Sequence, residues 1–238
     1  MSKRLIDIVF SLALLTLASP LILAAMALIV AHDGGPAIYW AARVGRGGRD
    51  FRMAKLRTMG VDADRHGGSS TSRSDARVTR PGRLLRRWKI DELPQLWNVL
   101  IGQMSLVGPR PNVRIGGVEL YTAQELGLLG GRPGITDLAS IVFADEADIL
   151  EGASDPDGRY DRLIRPWKSR LGLLYLAHRS FRIDLRIIAL TALGLVARPT
   201  ALRGVDHILA EWGAGEDLRS VCRREQPLPW SEPPGLAA

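Results

Sequence analysis

Residues 8–31 run for 24 positions without a charge. As a straight helix at about 1.5 Å per residue such a run is long enough to cross a bilayer core. Ser19-Pro20 divides it into two apolar halves. Proline has no N–H and its ring clashes with the carbonyl of Thr16, so a kink or break is expected there, with the Ser19 or Thr16 hydroxyl available to the freed backbone groups. Each half alone covers only half of the hydrocarbon thickness. Lys3 and Arg4 precede the run, and Arg43, Arg46, Arg49, Arg52, Lys55 and Arg57 follow it. The positive-inside bias places both flanks in the cytoplasm, which a re-entrant helix hinged at Ser19 and Pro20 satisfies. A kinked span is the alternative, and a cleaved signal peptide is disfavoured because its apolar region is shorter than this one.

The polarity pattern then shortens. Residues 37–40 read as a strand, 44–50 as a glycine-rich turn and 51–57 as an alternating strand, together a small hairpin with Arg52, Lys55 and Arg57 near its far end. Residues 62–77 are polar and rich in Gly and Ser, a mobile stretch that serves either as a linker or as a lid. Residues 82–89 pattern as a short amphipathic helix with Leu84, Leu85 and Trp88 on one side. In the next helix Leu93, Leu96, Trp97 and Leu100 recur at i, i+3, i+4, i+7, with Asp91 at the N-cap, Glu92 in the first turn and Gly102 as the stop. Leu163, Ile164, Trp167, Leu171, Leu174 and Tyr175 share a face that suits a membrane interface and a protein core equally. Residues 187–197 lack charge but are too short to span, and the proline-rich tail from Glu225 reads as loose.

The expected fold class is α/β, mostly α: a re-entrant membrane helix over 1–33, a small catalytic domain with a short β-hairpin and interfacial amphipathic helices over 34–200, and an extension over 201–238.

Charge sharpens this picture. The net charge is +7 and sits in the front of the chain: residues 1–110 carry 17 Lys and Arg against 8 Asp and Glu, and the remainder 15 against 17. Arginine supplies 28 of the 32 basic residues, and its planar fork suits phosphate oxygens. No helix-turn-helix, finger or aromatic RNP motif accompanies the charge, so nucleic acid is not the expected partner. One cysteine, Cys222, excludes an intramolecular disulfide framework, and four scattered histidines offer no zinc-ligand spacing.

Asp91 and Glu92 fit helix capping, but Arg83, Arg86, Arg87 and Lys89 lie just upstream, more cations than a cap needs. Downstream, Arg110 stands between Pro109 and Pro111, whose fixed φ angles present its guanidinium with little entropy left to lose.

These residues, taken in order, resemble the bacterial sugar transferases, the monotopic polyprenyl-phosphate phosphoglycosyl transferases. The likeness rests on Lys3-Arg4-x-x-Asp7, Ser19-Pro20, Gly35-Pro36, Arg43-x-Gly45, Lys55-Leu56-Arg57-Thr58-Met59 and Arg80-x-Gly82-x-x-Leu85-Arg86. It continues through Asp91-Glu92-Leu93-Pro94-Gln95-Leu96-Trp97-Asn98, residues 104–111 and Arg132-Pro133-Gly134-Ile135-Thr136. The length looks like the minimal form, without the additional membrane domain of larger relatives.

The resemblance implies transfer of a sugar-1-phosphate from a UDP-sugar to polyprenyl phosphate, with release of UMP, on the cytoplasmic face of the bacterial inner membrane. This is the first step of a polysaccharide or glycoconjugate. It assigns Asp91 as nucleophile, Glu92 as the Mg²⁺ ligand, Lys55, Arg57, Arg86 and Arg110 as substrate-binding cations, and Ser19 and Pro20 as the membrane hinge. Membrane lipid is an expected partner, and self-association is left open. A carboxylate must be deprotonated to attack, and neighbouring arginines favour that state. Splitting the transfer into two displacements suits one aqueous and one lipid substrate.

The chain departs from the family pattern at residues 137–141, at Gly172 and His178 where Asp and Asn are usual, and at Leu56 in place of Phe. These changes leave the sugar open, together with the roles of Asp137, Asp145, Glu146, His178 and Asp184. Direct attack in a ternary complex, with Asp91 as metal ligand only, is the rival enzyme reading. A silent membrane-anchored binder of nucleotide or anionic lipid is the rival outside enzymology.

Overall fold

The computed structural model describes residues 3–63, 71, 72 and 74–236. Residues 64–70 and 73, the middle of the stretch expected to be mobile, lie outside the described residues.

The apolar run forms one helix, α1 (Lys3–Asp33), long and apolar enough to cross a membrane. Helical backbone continues through Pro20 instead of breaking there. The Thr16 carbonyl, which loses its N–H partner to proline, accepts from Ser19 Oγ at 2.8 Å. Most of the surface of α1 is apolar and bare: Leu17 is 80% exposed, and Val9, Leu12, Leu21 and Leu23 are also exposed. Asp7, Ser11, Ile22, Ala25 and Ile29 are the buried positions.

The expected hairpin is present as β1 (Ile38–Val44) and β2 (Asp50–Leu56), antiparallel with Ile38 opposite Leu56 and Val44 opposite Asp50. Its first strand extends four residues beyond the stretch read from sequence. Positive φ at Gly47 and Gly48 turns the chain between the strands. The helix α2 (Arg80–Arg87) starts at Thr79, whose hydroxyl accepts from the Gly82 N–H at 3.0 Å. Of its expected apolar side only Leu85 is buried; Leu84 and Trp88 face outward.

A 3₁₀ turn (Ile90–Glu92) precedes α3 (Gln95–Leu100), and Pro94, not Asp91, occupies the N-cap of α3. The buried face of α3 carries Gln95, Leu96, Asn98 and Val99, while Trp97 is 47% exposed. The predicted apolar repeat therefore divides between core and surface.

Two short strands, β3 (Ser105–Val107) and β4 (Gly134–Thr136), pair in parallel and bring the two proline-containing motifs together. A Cβ on Gly134 would lie 2.1 Å from the Gly108 nitrogen, so this approach needs glycine.

The remaining helices are α4 (Leu138–Val142), α5 (Glu146–Ile149), α6 (Pro156–Leu163), α7 (Arg165–His178), α8 (Phe181–Gly194), α9 (Arg198–Glu211) and α10 (Glu216–Arg223). Ile164, Trp167, Leu171 and Tyr175 are buried in the main core, which settles that face as core packing. Residues 201–222 supply Ala201, Leu202, Val205, Ile208, Leu209, Leu218, Val221 and Cys222 to the same core.

The tail expected to be loose is held instead. The Pro229 carbonyl accepts from Trp167 Nε1 at 3.2 Å, Arg170 Nη1 donates to Ser231 Oγ at 2.7 Å, and the Pro234 carbonyl accepts from Thr122 Oγ1 at 2.5 Å.

Both ends of α1 are fastened to this body. Arg4 donates to the carbonyls of Val99 and Leu100 at 2.5 and 2.7 Å, and Asp7 Oδ1 accepts from Ser105 Oγ and the Leu106 N–H at 3.1 Å each. Lys3 pairs with Asp184, which also accepts from the Tyr175 hydroxyl at 2.7 Å. At the other end Asp33 is clamped by Arg57, at 2.5 and 2.7 Å.

Candidate active site

The site forms where β2, the Ile90–Glu92 turn and the β3–β4 junction meet. Lys89 enters the turn with φ of 56°, a left-handed conformation that swings the chain from α2 into Asp91. Asp91 is buried, 4% exposed, and its Oδ1 has no hydrogen-bond partner among the described residues. A buried carboxylate oxygen in that condition is costly unless something binds there.

Lys55, near the end of β2, places its ammonium 3.7 Å from Asp91 Oδ2 and 3.4 Å from Glu92 Oε1. Arg110 holds Glu92 through both terminal nitrogens, with Nη1 to Oε2 at 3.1 Å. Burial pushes the Glu92 carboxyl upward, but the charges of Arg110 and Lys55 outweigh it and hold the group well below the usual carboxylate range. Glu92 in turn raises Arg110, and burial lowers Lys55 against the pull of the two carboxylates.

Arg86, from the last turn of α2, donates through Nε to Thr58 Oγ1 at 2.8 Å; burial lowers its guanidinium, and the charge of Asp91 acts against that. Its placement depends on Gly82, where a Cβ would lie 2.0 Å from the Thr58 carbonyl oxygen. Only glycine lets α2 settle this close.

Asp91, Glu92, Lys55, Arg86 and Arg110 are thus brought together as expected. Arg57 is not. Its guanidinium is buried on Asp33, the Pro36 carbonyl at 2.6 Å and the Met59 carbonyl at 3.1 Å, where it ties α1 to β2. Ser19 and Pro20 lie within α1.

The acidic residues left without roles also separate. Asp137 caps α4 through the Ser140 N–H and hydroxyl, both at 2.6 Å. Asp184 belongs to the Lys3–Tyr175 cluster, Asp145 pairs with Arg198 and Arg224, and Glu146 pairs with Lys168. His178 stacks on Trp212, with centroids 4.8 Å apart.

Sequence reasoning missed Asn98. Its side chain bonds β2 like one residue of a third strand: Oδ1 accepts from the Ala54 N–H and Nδ2 donates to the Arg52 carbonyl, both at 2.8 Å. This fixes the strand segment that carries Lys55. Gln95, 1% exposed and with Nε2 unpartnered among the described residues, was also missed. The signal for both is a polar residue recurring on the buried face of a short helix.

Comparison with known proteins agrees with this geometry. The family model described as bacterial sugar transferase matches residues 1–198. A putative undecaprenyl-phosphate N-acetylgalactosaminyl 1-phosphate transferase of Bacillus subtilis (strain 168) is 50% identical over 109 residues, covering 46% of this chain and 61% of that protein. A UDP-N-acetylgalactosamine-undecaprenyl-phosphate N-acetylgalactosaminephosphotransferase of Aeromonas hydrophila is 40% identical over 173 residues, 69% of this chain and 40% of that one. An uncharacterized sugar transferase of Bacillus subtilis (strain 168), EpsL, is 34% identical over 209 residues, 88% of this chain and 94% of that protein. Against the first two the chain spans about half of the relative's length. With a match over most of its length and the motif carboxylates and cations gathered at one site, the chain belongs to the bacterial sugar transferase family.

Proposed function

We propose that this chain transfers a sugar-1-phosphate from a UDP-sugar to undecaprenyl phosphate at a membrane surface, releasing UMP, with Asp91 as the nucleophile. The observation that carries the reading is Asp91 itself: a buried carboxylate with one oxygen unpartnered among the described residues, set among Lys55, Arg86 and the Glu92–Arg110 pair.

An Asp91 oxygen attacks the sugar-bearing phosphorus, and the bond from that phosphorus to the bridging oxygen breaks, so UMP leaves with the electron pair. An oxygen of undecaprenyl phosphate then attacks the same phosphorus, releases Asp91 and leaves a diphosphate-linked sugar. Lys55 and Arg86 reduce the repulsion between the carboxylate and the anionic donor, and Arg110 takes the phosphate of the departing UMP. Two displacements at one carboxylate let the aqueous donor and the lipid acceptor use the site in turn.

Mg²⁺ is ordinarily held by one or two carboxylates together with substrate phosphates. Glu92 beside Asp91 sets two adjacent carboxylates at the site, the kind of donor set that such an ion shares with substrate phosphates. When bound, Mg²⁺ would neutralise charge on the diphosphate.

Attachment of both ends of α1 to one folded body supports a helix that stays with that body at one face of the membrane, as the re-entrant reading requires, although its backbone runs unbroken through Pro20. The outward-facing Leu84, Trp88, Trp97 and Ile101, with Arg83 and Arg87 on the same short helices, suit the headgroup region on the cytoplasmic side.

The test is UMP release by purified protein with Mg²⁺ and undecaprenyl phosphate across a panel of UDP-sugars, with Asp91→Asn alongside. Release from one donor, abolished in the variant, is expected. Full turnover by Asp91→Asn would overturn the covalent mechanism. Ping-pong kinetics separate it from direct attack in a ternary complex.

A further inference from the structure

A cleft of about 270 Å³ opens between the start of α1 and the first two turns of α8, walled also by Leu106 and Val107 of β3. None of Asp91, Glu92, Lys55, Arg86 and Arg110 lines it. Its polar lining comes from Lys3, Arg179 and Ser180, and its apolar lining from Ile6, Phe181, Leu185 and Ile188. Along α8 the wall changes from Ser180 to Ile188 within about 12 Å of helix.

Two carboxylates share the wall, and the protein answers both. Asp7 Oδ1 accepts from Ser105 Oγ and the Leu106 N–H, and Asp184 accepts from the Tyr175 hydroxyl and pairs with Lys3. Lys3 spends a second donor on the Tyr175 hydroxyl at 3.3 Å, which leaves its third for a ligand. Arg179 is exposed and has neither hydrogen bond nor ion pair among the described residues. Residues 3–7 and 179–184 together carry Lys3, Arg4, Arg179 and Arg182 against Asp7 and Asp184, so a positive excess remains for an anion.

The rim says where that anion comes from. Leu5, Val9 and Phe10 of α1 and Phe181 and Leu185 of α8 are exposed around the cleft's two helices. Arg4, beside Lys3, donates to the Leu100 carbonyl next to the exposed Ile101, so this wall continues into the surface placed at the headgroups above. The inference rests on that membrane reading. Cations at one end and bare apolar side chains at the other match a lipid's phosphate and acyl chain. The volume falls below the roughly 300–1,000 Å³ of sites that enclose a small molecule, and suits a ligand whose remaining bulk stays in the bilayer.

We propose that the cleft between α1 and α8 seats one anionic phospholipid of the surrounding bilayer, its phosphate on Arg179 and Lys3 and one acyl chain against Ile6, Leu185 and Ile188, fastening the start of the membrane helix to the folded body.

The test is native mass spectrometry of the full-length protein in detergent, titrated with dioleoyl-phosphatidylglycerol or dioleoyl-phosphatidylcholine. Wild type is expected to retain one phosphatidylglycerol and to bind it about tenfold more tightly than phosphatidylcholine, the order of one charge-assisted contact. Arg179→Ala should remove most of that preference, and Ile188→Phe, which fills the apolar end, should weaken both lipids about fivefold. Arg203→Ala, which removes an exposed cation of α9 outside the cleft, should change neither. Arg179 is exposed, so its variant decides the proposal even if Ile188→Phe does not fold. Equal affinity for the two lipids, an unchanged preference in Arg179→Ala, or an equal effect of Arg203→Ala would overturn the proposal. Displacement of phosphatidylglycerol by an equal concentration of undecaprenyl phosphate would give the cleft to the acceptor and overturn it as well. Wild-type protein recovered from cells without detergent would overturn the membrane reading itself, whereas membrane-bound protein that retains no lipid would overturn the cleft alone.

Discussion

Replacing Asn98 by alanine tests how the site is held in place. The Asn98 amide joins three partners: the Ala54 N–H and the Arg52 carbonyl at 2.8 Å, and Gln103 Oε1 at 2.7 Å. Ala54 is buried, so its N–H would be left without water or partner, at a cost of about 1–3 kcal/mol. Arg52 is an exposed residue, and water can replace the bond to its carbonyl for a fraction of that. With the loss of side-chain packing at a fully buried position, the expected destabilisation is about 2–3 kcal/mol. For a chain of this size that lowers Tm by roughly 4–12 °C. Intrinsic tryptophan fluorescence during heating of detergent-purified protein reads it. Because Lys55 follows Ala54 directly, turnover below the transition should fall with Tm, while wild-type membrane attachment persists. A Tm within 1 °C of wild type, or a lowered Tm with unaltered turnover, would refute the reasoning that Asn98 fixes the strand carrying Lys55.

Further outcomes follow from the same geometry. Gly82→Ala should displace α2 from Thr58 and destabilise the protein by about 1–3 kcal/mol, with loss of turnover as Arg86 moves; melting and UMP release measure both. Chelation by EDTA should abolish UMP release and added Mg²⁺ should restore it, whereas EDTA-resistant activity would remove Glu92 from a metal-binding role. Cys222 is buried and its thiol is pushed up to about 12 by burial, so iodoacetamide at neutral pH should leave it unmodified until the protein unfolds, as mass spectrometry will show. Because that folded value lies above the unfolded 9.0, its contribution to stability is present below pH 9.0 and is lost as pH rises toward the folded value, a loss that Cys222→Ala should remove from a pH series of melting curves.

Much of the site was legible because its chemistry is local in sequence. Asp91 and Glu92 adjoin, the upstream cations follow a short helix, and the proline-flanked Arg110 is rigid before any tertiary contact forms. The fate of Arg57 was not legible: its partner Asp33 is distant in sequence, and a basic residue at a strand end reads the same whether it meets a substrate or a buried carboxylate. The apolar periodicity misled at Leu84, Trp88 and Trp97 for another reason. It separates apolar from polar surroundings, but if α2 and α3 lie at the membrane, as the proposed function has them, they have two apolar surroundings, core and lipid, which the pattern cannot tell apart. The spacing of Asp91 from the apolar repeat also fits a helix cap; Pro94 delays the α-helix, and the 3₁₀ turn frees the carboxylate. The tail looked loose because proline-rich sequence lacks regular structure, yet its carbonyls still find donors on α7 and Thr122.

The most direct test of the account is a single turnover without acceptor. Wild-type protein mixed with its UDP-sugar and Mg²⁺, and no undecaprenyl phosphate, should release a burst of UMP approaching one per protein. The sugar phosphate should remain on the peptide containing Asp91 until the lipid acceptor is added, and Asp91→Asn should give neither burst nor label. UMP release that requires the acceptor from the first turnover, with no labelled peptide, would contradict a covalent role for Asp91.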